Sequence, residues 1–168
     1  MKINTSLQNK FKNIRLLAVD VDGVLTDGGM YYTDNGVEFK RFSVRDGMGL
    51  HLIRQIEIKV AIVTLEDTAI VRNRADKLKI VDVFLGARDK VKSVELLLAR
   101  HNLKWDNICF VGDDVNDSEV LKRVGLAITP NDGIDENKKI AHYITNKKGG
   151  DGCVREICDL LLKYQTKK

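Results

Sequence analysis

The sequence predicts an α/β fold: a doubly wound, Rossmann-like parallel sheet with helices on both faces. Three observations carry this. Short apolar runs of strand length alternate with longer segments of helical periodicity. Connections of that length join parallel strands by crossover rather than by hairpin. The 168 residues include one Pro and no low-complexity linker, so residues 1–168 are expected to form a single domain.

The predicted strands are 14–19, 60–64, 83–85, 108–111, 126–128 and 143–144, each a short apolar run. Between and after them, Val91, Val94, Leu97 and Leu98 share one helical face, as do Val154, Ile157, Cys158, Leu161 and Leu162, and each such face can cover a sheet. Residues 30–42 break the alternation. Two β-prone runs there flank Asp34, Asn35 and Gly36, a turn sequence, and predict a short β-hairpin inserted after the first strand.

Composition narrows the function classes. With 43% hydrophobic and 31% charged residues the chain can bury a core under a polar shell. It has no apolar run of membrane-spanning length, and its start lacks a signal-like stretch, so a cytoplasmic protein without a membrane partner is expected. The net charge of +4 is too small to call for a nucleic-acid partner, and Lys138, Lys139, Lys147 and Lys148 read as a solvated face. Cys109, Cys153 and Cys158 form no CxxC pair and read as small apolar side chains, while His51, His101 and His142 lack zinc-ligand spacing.

In an open α/β sheet, ligands bind beyond the carboxyl ends of the strands. Those positions hold Asp20, Asp22 and Gly23 after the first strand, Thr64 after the second, and Gly112, Asp113, Asp114, Asn116 and Asp117 after the fourth, with Lys90 opening a helix. Asp20 and Asp22, two apart, can address one ligand while Val21 packs away from it. Clustered carboxylates repel unless a cation neutralises them, and an all-oxygen set suits Mg²⁺. A Thr hydroxyl and a Lys ammonium are groups that a phosphate dianion needs. One Asp can then attack phosphorus to give an aspartyl-phosphate while the other serves as general acid and base.

DVDGV at 20–24, Thr64, Lys90 and GDDVND at 112–117 resemble, in order and spacing, the four motifs of the haloacid dehalogenase superfamily phosphatases. The resemblance implies Asp20 as nucleophile and Asp22 as acid/base. It implies Mg²⁺ on the Asp20 carboxylate, the Asp22 backbone carbonyl and Asp113, supported by Asp117 and Asp114, with Thr64, Lys90 and Gly23 at the phosphate. Longer stretches, among them DVDGVLTDGGMYY, FSVRDGMGLHLI and GGDGCVREICDLLL, look like the capless phosphatases of 3-deoxy-D-manno-octulosonate 8-phosphate in lipopolysaccharide sugar biosynthesis. No interval is long enough for an inserted cap domain. That resemblance implies a small phosphorylated sugar acid as substrate and a homotetramer built partly through the hairpin, in which subunits complete each other's sites. Gly149, Gly150, Gly152 and Arg155 match the segment that reaches a neighbour, and Arg74 matches an arginine that does so.

The pattern departs from the family after the second strand, where Leu65 and Glu66 stand in place of the common Gly-Arg. Glu66, Arg74 and Lys77 are similar to phosphatases of nine-carbon ulosonic acid 9-phosphates, whereas VRDG at 44–47 favours the eight-carbon enzymes. Arg45 is a substrate-carboxylate ligand or else a surface partner of Asp46 or of a neighbouring residue. Asp27 shapes the pocket or caps a turn. Gly23 is read as allowing close backbone approach to phosphate. Two other classes compete: a phosphoacceptor receiver domain, which places adjacent acids at the first strand instead of late in the chain, and an inactive accessory protein.

Overall fold

The structure is a computed structural model that describes residues 3–165; residues 1–2 and 166–168, the ends of the expected 1–168 domain, lie outside the described residues. Helix α1 (Thr5–Asn13) is capped by Asn4, whose side chain accepts the Leu7 amide hydrogen at 2.9 Å. After β1 (Leu16–Val19) come the hairpin strands β2 (Tyr31–Tyr32) and β3 (Glu38–Phe39), then α2 (Val44–Arg54), β4 (Lys59–Val63) and α3 (Ala69–Leu78). Strand β5 (Asp82–Phe84), α4 (Lys90–His101), β6 (Ile108–Val111), the single-turn α5 (Ser118–Leu121) and β7 (Leu126–Thr129) follow. Helix α6 (Asp135–Ile140), β8 (Tyr143–Ile144) and α7 (Cys153–Gln165) complete the order.

Six strands form one parallel sheet in the order β5-β4-β1-β6-β7-β8. Every predicted strand is present, with ends displaced by no more than two residues. The chain winds outward from β1 through β4 to β5, then returns to β1's other side for β6, β7 and β8. The gap between β1 and β6 is therefore the topological switch point, where ligands of such sheets sit. Register aligns the strand ends, since Val19 lies opposite both Ile62 and Val111. Residues just past those three positions share one edge.

All four residues of β1 are buried because both sheet faces are covered. Leu17 and Val19 belong to the core shared with α1, α2 and α7, while Leu16 and Ala18 belong to the core under α4 and α5. The apolar face of α7 is Cys153, Val154, Ile157, Cys158, Leu161 and Tyr164, and all three cysteines are buried and free. No described helix is long and apolar enough to cross a membrane.

The hairpin forms around the expected turn. Tyr31 pairs with Phe39 and Tyr32 with Glu38, and Gly36 takes φ +79°, which an L side chain resists. Its rings stack at 5.3 Å, but Met30, Tyr32, Val37 and Phe39 remain more than half exposed.

Candidate active site

Asp20 leaves β1 with its amide donating to the Val111 carbonyl at 3.0 Å, so the adjacent strand fixes its backbone. Its Oδ1 accepts the Val21 amide hydrogen at 2.7 Å. Lys90 is the first residue of α4, set there by Asp89, which accepts the Lys92 amide hydrogen at 3.0 Å. The buried Lys90 ammonium lies 2.9 Å from Asp20 Oδ2 and 2.6 Å from Asp117 Oδ1. Asp117 Oδ2 accepts the amide hydrogens of Asp113 and Asp114 at 3.0 and 3.4 Å. Asp117 thus spends both oxygens in holding Lys90 and the Asp113 loop.

One lysine does not neutralise this cluster. Burial raises the Asp20 pKa, with the Asp117 charge adding to it and Lys90 opposing. Burial likewise raises Asp117. Asp113 is pushed up to about 8 by burial first and then by the charges of Asp20, Asp117 and Asp114. Among the described residues its buried Oδ1 has no hydrogen-bond partner, and Asp20, Asp113 and Asp117 can bring one oxygen each within 4.8 Å of one another. An orphaned carboxylate oxygen inside an all-oxygen acidic group suits a hard divalent cation. Asp117 spends both oxygens on Lys90 and the Asp113 loop, whereas Asp113 Oδ1 is open to a cation and Asp20, which meets the Val21 amide and Lys90, lies beside it.

Above the cluster is a cavity of about 270 Å³ lined by Asp20, Asp22, Gly23, Thr64, Leu65, Glu66, Asp113, Asp114 and Asn116, with Gly28 at its side. A larger hollow of about 700 Å³ lies at the opposite ends of β4 and β5, beside Lys59 and Asp82, away from the carboxylate group. The acidic chemistry, and not the size of the hollow, locates the site.

The structure places Asp20, Asp22, Gly23, Thr64, Glu66, Asp113 and Asp114 around the cavity, with Lys90 in contact with Asp20 and Asp117. Arg45, Arg74 and Lys77 do not line it within one chain. Arg45 and Lys77 are exposed. Arg74 donates to the Ser43 carbonyl at 2.9 Å and lies over the Phe42 ring, holding α3 against α2. Gly23 has φ +79°, and a Cβ there would overlap the Asp113 carboxylate. The glycine is thus required by Asp113 and by its own positive φ, a reason additional to the phosphate-approach reading. Asp27 caps a turn, accepting from the Gly29 amide at 3.1 Å and the Tyr31 hydroxyl at 2.8 Å. Asp114 caps the turn at Val115, and Arg72 pairs with Asp67.

Three residues escaped the sequence reading. Asp46 is no surface partner of Arg45: it is buried and accepts the amide hydrogens of Gly152 and Arg155 at 3.3 and 2.7 Å, capping α7 from α2. Thr26 Oγ1 accepts from the Gly23 and Gly28 amides at 3.3 and 3.2 Å and so closes the first loop. Lys40, from the hairpin, reaches Asp22. An alternation of Glu38 and Lys40 along the hairpin was the available signal for the last. The Gly149 segment packs on its own chain, with a Cβ at Gly149 overlapping the Gly23 carbonyl.

A parallel sheet whose switch point carries paired aspartates, a buried lysine and a second acidic loop fits a hydrolase of phosphate esters. Residues 52–157 match the haloacid dehalogenase-like hydrolase family. The chain belongs to that family. The 3-deoxy-D-manno-octulosonate 8-phosphate phosphatase of Salmonella typhi is 41% identical over 165 residues, covering 98% of this chain and 88% of that protein. The crystal structure of the Yersinia pestis phosphatase of the same name superposes with TM-score 0.94 at 39% identity, covering 97% of this chain and 88% of that one. The Moraxella catarrhalis phosphatase, solved with a magnesium ion, a phosphate ion and a KDO molecule, gives TM-score 0.91 at 37% identity, covering 94% and 91% of the two chains. This membership displaces the receiver reading.

Proposed function

We propose that this chain is a Mg²⁺-dependent phosphomonoesterase that hydrolyses 3-deoxy-D-manno-octulosonate 8-phosphate to the sugar acid and inorganic phosphate. The observation that carries the reading is the buried Lys90 bridging Asp20 and Asp117 beside the orphaned Asp113 oxygen. The identity to phosphatases of that ester supports the substrate. The Asp20 carboxylate, the Asp22 backbone carbonyl and Asp113 would hold Mg²⁺, with Asp117 and Asp114 in support. When bound, the ion screens the charge between the carboxylates and the phosphoryl oxygens.

Asp20 attacks phosphorus, forming a new P–O bond as the bond to the sugar oxygen breaks. Asp22 gives its proton to the departing alkoxide. Asp22 then takes a proton from water, whose oxygen attacks the aspartyl-phosphate and releases phosphate from Asp20. Thr64 and Lys90 hold the phosphoryl oxygens, with the Gly23 backbone alongside, and Lys90 also keeps the Asp20 carboxylate oriented.

Residues 1–168 act as one capless phosphatase domain in this reading, and the exposed apolar hairpin packs between subunits of a homotetramer in the cytoplasm. Arg45, Arg74 and Lys77 then belong to sites completed across subunits. A nine-carbon ulosonic acid 9-phosphate is the second reading, favoured by Glu66, which puts a carboxylate at the cavity where the resembled enzymes carry arginine. A phosphate-release panel in Mg²⁺ and in EDTA tests both. Faster Mg²⁺-dependent turnover of the octulosonate 8-phosphate supports the first reading, preference for a nonulosonate 9-phosphate replaces it with the second, and feeble, equal turnover refutes both.

A further inference from the structure

Lys40 follows β3 in the hairpin, yet its side chain is only 4% exposed. Its ammonium lies 2.7 Å from Asp22 Oδ1, 3.0 Å from Glu66 Oε2 and 3.4 Å from Glu38 Oε1. Three separate segments meet there: the loop after β1, the loop after β4 and the hairpin. An exposed lysine pair would hold little, because solvent and side-chain entropy compete with it. Here the Lys40 side chain is shielded while Asp22 and Glu66 stay more than a third exposed, so it is the convergence of three carboxylates on one ammonium that holds the contact. Burial opposes the charge on Lys40, and the hydrogen bonds to Asp22 and Glu66 overcome that and raise its pKa. Lys40 does not line the cavity, whereas Asp22 and Glu66 do.

We infer that Lys40 is a positioning residue for this reaction: anchored by Glu66 and Glu38, its ammonium fixes the Asp22 carboxylate at the cavity mouth. The inference rests on Asp22 acting as acid and base. A proton donor must meet the leaving oxygen within hydrogen-bond reach, and a displacement of about 1 Å costs on the order of a hundredfold in rate. Asp22 has 36% of its side chain exposed and shares one further contact, the Thr26 hydroxyl at 3.3 Å, so Lys40 supplies its strongest restraint. Glu66 is by this account an anchor for Lys40, which explains how a carboxylate is tolerated at an anion-binding mouth.

The test is a double-mutant cycle with Mg²⁺ on a simple alkyl monoester such as glycerol phosphate, whose alkoxide must be protonated as it leaves and which does not depend on the sugar acid. Lys40→Met is expected to lower kcat by about 10- to 100-fold with KM nearly unchanged, Lys40→Arg to recover part of the loss, and Glu66→Gln to give a smaller loss. In an Asp22→Asn background, Lys40→Met is expected to change kcat less than about twofold, because the two residues act as a unit. Equal losses in both backgrounds would make Lys40 merely structural, and a raised KM with unchanged kcat would make it a substrate ligand; either overturns the inference. Should Lys40→Met fail to fold by circular dichroism, the same cycle with Lys40→Arg and Glu66→Gln decides it. A wild type inactive on every ester would overturn the proposed function and this inference together, whereas an active wild type with additive variants overturns the inference alone.

Discussion

Asp113→Asn should stabilise the metal-free protein while abolishing its response to Mg²⁺. In the folded chain Asp113 is pushed up to about 8 from an ordinary carboxylate value of 3.8. Between those two values the folded state keeps a proton that the unfolded state has lost, so stability falls as pH rises through that interval. One fully displaced proton is worth about 1.4 kcal/mol per pH unit, which sets a ceiling of roughly 5 kcal/mol at pH 7.5. An effective dielectric near 20 and side-chain relaxation reduce this to about 1–3 kcal/mol. The asparagine keeps the shape against Gly23 and removes the charge. Melting in EDTA at several pH values should place the variant about 2–12 °C above wild type at pH 7.5, at about 2–4 °C per kcal/mol. The gap should narrow as pH falls and close only near pH 4, at the ordinary carboxylate value. A slope of the same sign remains in the variant, because burial also raises Asp20 and Asp117. Mg²⁺ at a hundred times its dissociation constant should add about 2.7 kcal/mol to wild type and little to the variant. A variant no more stable than wild type in EDTA at pH 7.5, or equal stabilisation of both by Mg²⁺, would refute the reasoning.

Asp20→Asn is expected to cost at least about a thousandfold in phosphate release and to abolish beryllofluoride trapping on that residue; near-normal turnover contradicts the nucleophile assignment. Lys90→Met strands Asp20 and Asp117, and urea unfolding in EDTA should show a loss of about 3–5 kcal/mol. Asp46→Ala leaves the Gly152 and Arg155 amides without their acceptor, for an expected loss of about 1–3 kcal/mol by the same assay; a neutral result would mean that water replaces the cap. Gly149→Ala should lower the melting temperature and loosen Mg²⁺ binding together, read by titration calorimetry, because its Cβ drives into the Gly23 carbonyl.

The strands and the acidic positions were legible because each is written locally. A run such as the one ending at Val19 announces a buried strand, and the aspartates just past it can only sit at the strand's carboxyl end. Helix α2 is a different case: its buried side is Asp46, Gly47, Gly49, Leu50 and Ile53, so it lacks the apolar stripe that betrays a helix. Gly49 lets α7 approach closely enough for Asp46 to cap it, and that pairing joins residues more than a hundred positions apart. The Lys40 contacts have the same character, since the ammonium meets Asp22 and Glu66 across 18 and 26 positions. What the sequence hides, then, is the second layer that aims the first. A carboxylate's chemistry can be read from its type and its place after a strand, but the partner that steers it comes from whatever the fold lays alongside. Here that partner comes from the hairpin, whose alternation of exposed apolar residues otherwise suggests only packing against another surface.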